Sequence, residues 1–300
     1  MAAGEGVFGG LVAFPITPAD PEGRVDADRL SALVDRLAAA GVDAVGLLGS
    51  TGTYAYLSRA ERGRAVTAAR EALAGRASLV VCVGALRTDA ATALARDAEA
   101  AGADALLLAP VSYTPLLDAE VFRHFETVAG ATGAPICIYN NPSTTRFTFS
   151  PALIERLAAS GAAAAVKNPG GAPEAMAAEI ADLRGRLPAG FSLGYSGDWF
   201  CAEALLAGAD AWHCVAAGVL PAQALRLARA AQAGDRAEAE RIDALFQPLW
   251  ALFREFGSLR ACYAAAALMG LSDLPPPLPL LPLSQPDHDR VAAALDALEA

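Results

Sequence analysis

Ala40-Gly41-Val42-Asp43-Ala44 returns as Ala101-Gly102-Ala103-Asp104-Ala105 and again as Ala207-Gly208-Ala209-Asp210-Ala211. Each copy ends a helix-like segment with glycine, the residue that accepts the left-handed turn at a helix C-terminus, and then begins an apolar run. A helix that stops so that a strand can start, repeated along a chain, is the mark of βα units. Working outward, eight short apolar runs read as strands: 10–16, 44–49, 79–85, 105–111, 135–140, 163–168, 191–196 and 211–216. Their continuous apolar character predicts burial on both faces, as in a parallel sheet covered by helices.

The segments between them carry helix starts. Asp26 precedes the first, with Asp28 in its opening turn, and Ser58-Arg59-Ala60-Glu61 has the spacing of a capping box. Thr88-Asp89, Asp118 and Ser150-Pro151 open the next three, the proline well placed in a first turn. Eight units predict an α/β fold, a (β/α)8 TIM barrel; a doubly wound open sheet, the alternative, more often has five or six strands. From about residue 220 the chain reads as helical. The barrel needs only the first of these helices, so the expected division is a barrel over 1–233 and an α-helical C-terminal extension over 234–300. Within the extension, 235–255, Ser258–Leu268 and 287–299 read as helices, and proline-rich 275–286 as a stiff connector.

Composition narrows the function. The net charge is −10 with no basic tract, which predicts neither nucleic acid nor an anionic membrane as partner. No run of 18 apolar residues suggests a membrane span. The N-terminus lacks a basic region, and Gly9-Gly10 interrupts its apolar stretch, so no secretory leader is expected. Cys82, Cys137, Cys201, Cys214 and Cys262 are odd in number and far apart, which reads as free thiols of a cytoplasmic protein, with Cys82 and Cys137 at buried strand positions. His124, His213 and His288 are dispersed, and no spacing of His, Asp or Glu predicts a metal site.

One residue stands apart. The chain has 22 arginines and a single lysine, Lys167, in the run Ala162-Ala163-Ala164-Ala165-Val166-Lys167-Asn168. Burial among apolar groups disfavours the charged form of an amine, and the neutral form is a nucleophile that condenses with carbonyls. Arginine cannot replace it, because a guanidinium stays protonated. Biased composition or a structural ion pair would also leave one lysine, so its surroundings must decide.

In a barrel of this kind the site lies at the C-terminal ends of the strands. Gly49-Ser50-Thr51-Gly52 follows strand two, Tyr113 follows strand four, Tyr139 ends strand five and Lys167 ends strand six. Tyr139 and Lys167 are 28 residues apart, one βα unit, which makes them neighbours on one rim. Taken singly, the glycine-flanked hydroxyls read as a tight turn or a phosphate cradle, and the tyrosines as packing. Together, an amine, two phenols and a hydroxyl pair facing one cavity supply a nucleophile and proton carriers.

These motifs resemble the dihydrodipicolinate synthase / N-acetylneuraminate lyase family of Schiff-base class I aldolases. The resemblance spans the chain: Gly10-Leu11-Val12-Ala13-Phe14-Pro15-Ile16-Thr17-Pro18, Gly49 to Gly52 with Leu57 to Arg62, Tyr139-Asn140-Asn141-Pro142, Val166-Lys167 and Ser196-Gly197-Asp198. It implies that Lys167 forms an imine with pyruvate or another 2-oxo acid and that Tyr139 moves protons at that imine. It further implies that Ser50 and Thr51 bind the keto-acid carboxylate, with Thr51 also relaying protons to Tyr139, and it places Gly49 and Thr144 among the substrate-binding residues. Tyr113 is implied as a relay that completes a neighbouring subunit's site in a homotetramer, a dimer of dimers. His213 is implied to line the pocket through its carbonyl. No cofactor is implied.

The chain departs from the family pattern at three places. Thr53 stands where a glutamate usually follows the Gly-x-x-Gly motif, and Asn168 where an acidic residue often follows the lysine. Thr144 occupies the position of the arginine with which true dihydrodipicolinate synthases hold the carboxylate of aspartate semialdehyde, and Arg146 lies two residues on. An arginine fork is hard to replace for carboxylate recognition. The expected activity is therefore a pyruvate-dependent aldolase or lyase acting on an aldehyde, a sugar acid or another 2-oxo acid. Dihydrodipicolinate synthesis proper, a keto-sugar-acid dehydratase and a non-catalytic keto-acid-binding barrel are the alternatives.

Overall fold

The computed structural model describes residues 6–299. Residues 1–5, where the reading of the N-terminus and the first span both begin, lie outside the described residues, as does residue 300.

Eight parallel strands close on themselves in chain order, β1 (Gly10–Ala13), β2 (Ala44–Leu47), β3 (Ser78–Cys82), β4 (Ala105–Leu108), β5 (Ile136–Tyr139), β6 (Ala165–Pro169), β7 (Ser192–Ser196) and β8 (Ala211–Cys214), with β8 pairing back to β1. Helices α1 (Ala27–Ala40), α2 (Arg59–Leu73), α3 (Thr88–Ala100) and α4 (Asp118–Ala129) follow the first four strands. After β5 come α5 (Pro142–Thr145) and α6 (Pro151–Ala159), then α7 (Pro173–Arg186), α8 (Asp198–Leu206) and α9 (Pro221–Gln232) complete the outer ring. The expected barrel is observed. Most strands are shorter than their apolar runs because the runs continue past the ladder: Phe14, Ile16, Leu48, Val83 and Ala109 stay buried beneath the loops.

Local chemistry explains the helix ends. The side chains of Asp26 and Ser150 accept the N–H groups of Arg29 and Leu153, as N-caps do. At α2 the expected capping box is only half made. Ser58 accepts from Glu61 N–H, but the Glu61 carboxylate turns away to accept from Val25 N–H at 2.7 Å, tying α2 to the start of the chain. The one-turn α5 has no counterpart in the sequence reading; four residues carry too little periodicity to be seen.

The repeated phrase has a structural role beyond its glycine. Gly41, Gly102 and Gly208 have φ of 86°, 87° and 96°, the left-handed conformation. The aspartate two residues later then stitches its strand to the preceding one. Asp43, Asp104 and Asp210 accept the backbone N–H of Leu11, Leu79 and Leu193 at 2.7, 2.8 and 2.7 Å. Each also donates its own backbone N–H to the carbonyl of that same leucine. Each carboxylate is further paired with an arginine from the helix ring: Arg229, Arg70 and Arg184. Three of the eight strand junctions at the N-terminal end of the barrel are closed in this way.

Beyond α9, helices α10 (Arg236–Phe256), α11 (Ser258–Leu268) and α12 (Gln285–Glu299) form the expected extension. It shares its core with the barrel. Trp250 of α10 stacks on Phe246 with centroids 4.7 Å apart and meets Trp212 of β8 edge-on at 6.5 Å. Gly257 alone separates α10 from α11; its φ of 80° and ψ of 139° suit glycine and let the chain reverse within one residue. No described helix is long and apolar enough to cross a membrane.

Candidate active site

Alternation along β6 decides where Lys167 goes. Successive side chains point to opposite faces of a strand, so Lys167 and Pro169 face the barrel axis and Val166 and Asn168 face the helices. Asn168 accordingly donates to Glu179 of α7 at 3.1 Å and accepts from Asn140 at 3.0 Å. Tyr195 of β7 points the same way and donates to the same carboxylate at 2.8 Å. This outer network braces β5, β6 and β7 against α7 from behind the site.

On the inner face, Lys167 is 3% exposed. Its partners in register are Tyr139 on β5 and Gly194 on β7. Its Nζ lies 3.7 Å from the ring centroid of Phe14 and 4.4 Å from that of Tyr139, and no ion pair among the described residues includes it. Two glycines make room for this floor. A Cβ on Gly46 would sit 2.3 Å from Phe14, and one on Gly194 would sit 2.3 Å from Nε2 of His213. An amine seated on aromatic faces, without a carboxylate, has no structural salt bridge to serve.

Above the floor, Ser50 Oγ and Tyr139 OH are 3.0 Å apart. Asn141 Nδ2 donates to the same phenol oxygen at 3.3 Å. That bond occupies a lone pair, leaving the phenol proton free to point at Ser50 or at a substrate atom. The turn that presents Ser50 is flanked by Leu48 at φ 58° and Thr53 at φ 54°. Left-handed backbone at two non-glycine residues costs of order 1–3 kcal/mol each and clusters at functional turns.

These groups open into a cavity of about 490 Å³. Ser50, Thr51, Tyr139, Thr144 and Lys167 line it, so the structure brings these five together. It does not bring Gly49, His213 or Tyr113 to the wall. Gly49 packs over Phe14. His213 points inward but lies below the cavity, fully enclosed, and burial pushes its pKa well below the usual histidine value, with the nearby Lys167 adding to the shift. Tyr113 is 96% exposed on the loop after β4, outside this chain's own cavity. Thr51 lines the cavity, but the hydroxyl that contacts Tyr139 is that of Ser50. Arg146 is exposed, at φ 55°, and not on the wall.

Several residues around the reacting groups and on the cavity wall escaped the sequence reading. Phe14 and Asn141 touch the reacting groups directly; each lies inside a quoted motif, which was the available signal. Phe253, Ser258, Leu259 and Arg260 come from the extension and had none. Asp198 is on the wall yet committed inward. It accepts from the Trp212 indole at 3.1 Å and from Val215 and Ala216 N–H at 3.0 and 2.7 Å. Burial raises its pKa against the pull of those donors. The five cysteines are free and buried, and burial pushes all five thiols up, away from the thiolate that would react. Among the described residues no cluster of His, Cys, Asp or Glu has the makings of a metal site.

Comparison with known proteins agrees with this geometry. The family model described as the dihydrodipicolinate synthetase family matches residues 7–298. A crystal structure of dihydrodipicolinate synthase from Agrobacterium tumefaciens str. C58 superposes with a TM-score of 0.95 at 59% identity, covering 97% of this chain and 98% of that one. The 4-hydroxy-tetrahydrodipicolinate synthase of Alkalilimnicola ehrlichii is 34% identical over 291 residues, 96% of this chain and 98% of the relative. That of Methylococcus capsulatus is 36% identical over 244 residues, 81% of this chain and 82% of the relative. The chain belongs to the dihydrodipicolinate synthetase family, and with it to the lyases of class I aldolase type.

Proposed function

We propose that this enzyme joins pyruvate to an aldehyde, or reverses that reaction, through an imine on Lys167. The observation that carries the reading is the lysine itself: a buried amine with no ion partner among the described residues, seated on two aromatic rings beside a phenol at the floor of a cavity. The amine attacks the keto carbon and water leaves. The resulting iminium draws electrons from C3, which gives up a proton. The enamine so formed attacks the aldehyde carbon, and hydrolysis of the imine releases the product. Tyr139 carries the protons, with Ser50 as its partner in the relay and Asn141 orienting the phenol. Ser50 and Thr51 hold the pyruvate carboxylate.

Thr144 offers a hydroxyl at the position where the related synthases place an arginine and Arg146 stays outside the cavity, so α5 gives the carboxylate of aspartate semialdehyde no guanidinium and that aldehyde is disfavoured as the second substrate. Tyr113, exposed here, is assigned to the relay of a neighbouring subunit in a homotetramer working in the cytoplasm. The His213 ring lies beneath the cavity and Gly49 packs over Phe14, so both support the floor.

The test is intact mass after incubation with pyruvate and sodium borohydride. A pyruvyl-sized gain in the wild type, absent in Lys167→Ala, is expected. No gain in the wild type would overturn the pyruvate reading. Release of pyruvate by candidate sugar acids then separates lyase from dehydratase action.

A further inference from the structure

Two cations line the cavity among the described residues, Lys167 and Arg260. The first is used in forming the imine. The second comes from the first turn of α11, in the extension, and no part of the reaction described above employs it. Its Nη1 donates to the carbonyl of Phe256 at 3.1 Å, which pins the guanidinium in place. Among the described residues neither Nε nor Nη2 has a protein partner, and no carboxylate pairs with it. The other charge on the wall, Asp198, is consumed by Trp212, Val215 and Ala216. In a chain carrying 33 acidic side chains against 23 basic ones, an arginine facing a cavity without an acid opposite it has its ligand still to come.

We infer that Arg260 is a specificity-determining residue that holds a carboxylate at the far end of the substrate, beyond the keto group bound at Lys167. The inference rests on the imine reading above and deepens it. Carboxylate fits better than phosphate. The free Nε and Nη2 edge presents two parallel N–H groups, the fork that a planar carboxylate accepts bidentately. One guanidinium balances one negative charge, whereas a phosphate brings about 1.5 to 2. The position also suits the role. Pyruvate is small beside a cavity of about 490 Å³, when a water takes roughly 30 Å³ of liquid. The remaining space is bounded on one side by the α10–α11 elbow, with Gly257, Ser258 and Leu259 on the wall next to Arg260. Thr144, in α5 after β5, takes no part in binding this charge. The carboxylate is thus read from the extension rather than from the barrel.

The test uses two 2-oxo acids of equal carbon count, 2-oxoglutarate and 2-oxopentanoate, which differ by a distal carboxylate. Each is trapped with borohydride on the full-length enzyme, and the ratio of the two trapping efficiencies is read within each protein, so that a general loss of activity cancels. In the wild type the ratio is expected to favour 2-oxoglutarate by at least about tenfold, the scale of a charge-assisted hydrogen bond. In Arg260→Gln it is expected to collapse to within about twofold, and in Arg260→Lys, which keeps the charge but loses the fork, to fall between. Equal trapping of the two acids by the wild type, exclusion of both, or a preference that survives in Arg260→Gln would each overturn the inference. Pyruvate is run in parallel: failure to trap pyruvate in the wild type marks failure of the imine reading, a result distinct from pyruvate trapping without discrimination between the longer acids.

Discussion

The two ends of the barrel are built from the same eight strands and treat charge in opposite ways. At the N-terminal end, Asp43, Asp104 and Asp210 each satisfy a neighbouring strand's N–H and an arginine at once. At the C-terminal end, Lys167 rests on Phe14 and Tyr139 with no carboxylate in ion-pair contact among the described residues, and Asp198, committed to Trp212, Val215 and Ala216, acts on it only through its charge. Complete pairing closes the sheet and leaves nothing to react. Incomplete pairing, held in place by rings and glycines, leaves a nucleophile. The difference teaches that the barrel's stability and its chemistry are carried by separate sets of side chains, so substitutions at the two ends should fail in different assays.

The sharpest break is at Lys167. Lys167→Ala and Lys167→Arg should both lower turnover by on the order of 10³-fold or more while melting near the wild type, because neither side chain forms an imine. A measured turnover within tenfold of wild type in either variant would remove the amine from the mechanism. Tyr139→Phe comes next. Removing the phenol proton carrier should cost about 10²- to 10⁴-fold in kcat, the range of general acid–base catalysis. Borohydride trapping followed over time would show slower adduct formation, and normal kinetics would assign proton transfer elsewhere.

At the opposite end the effects should appear in melting curves. Asp104→Asn keeps the shape but removes the charged acceptor for Leu79 N–H and the partner of Arg70. The loss should be about 1–2 kcal/mol, since a hydrogen bond to a charged group contributes more than a neutral one but this side chain is partly exposed. Imine trapping per folded molecule should be unchanged. If trapping falls while stability holds, the separation of the two ends is wrong.

The smallest effect is one of pH. Burial depresses the pKa of His213 and of His124 in the folded chain. Below the unfolded value of about 6.5 the unfolded chain binds protons that the folded one refuses, so stability is full above that pH and declines as pH falls. The slope is at most about 1.4 kcal/mol per pH unit for each histidine. Chemical denaturation at pH 7.5, 6.5 and 5.5 should show this decline, and His213→Gln should reduce it to the share of His124. An unchanged slope would mean that the ring below Lys167 does take a proton.

The same contrast explains what the sequence made legible. All eight strands and the lysine–tyrosine rim follow from patterns local in the chain: apolar runs, a 28-residue spacing and glycines that end helices. The aspartates of the repeated phrase were visible too, but not their purpose. Leu11, Leu79 and Leu193 lie 32, 25 and 17 residues away, and only barrel closure brings them within reach. Glu61 misled for a similar reason: its position fits a cap, and a distant N–H competes for it. Tyr113 fits a relay by its place after β4, yet a single chain leaves it in solvent. Arg260 gave no signal at all, since an arginine in the first turn of a helix looks like any surface residue until the helix is folded over the cavity.

Gly257 has a consequence for how such an enzyme diversifies. By turning the chain back within one residue it sets the start of a new helix over the mouth of the site. Inheritance can then act on two parts independently. The barrel keeps the bond-making step, while the helix beyond the hinge, free of any duty in closing the sheet, can change which molecules are admitted. A descendant with a new diet would be recognised by an altered 258–260 segment above an unaltered lysine.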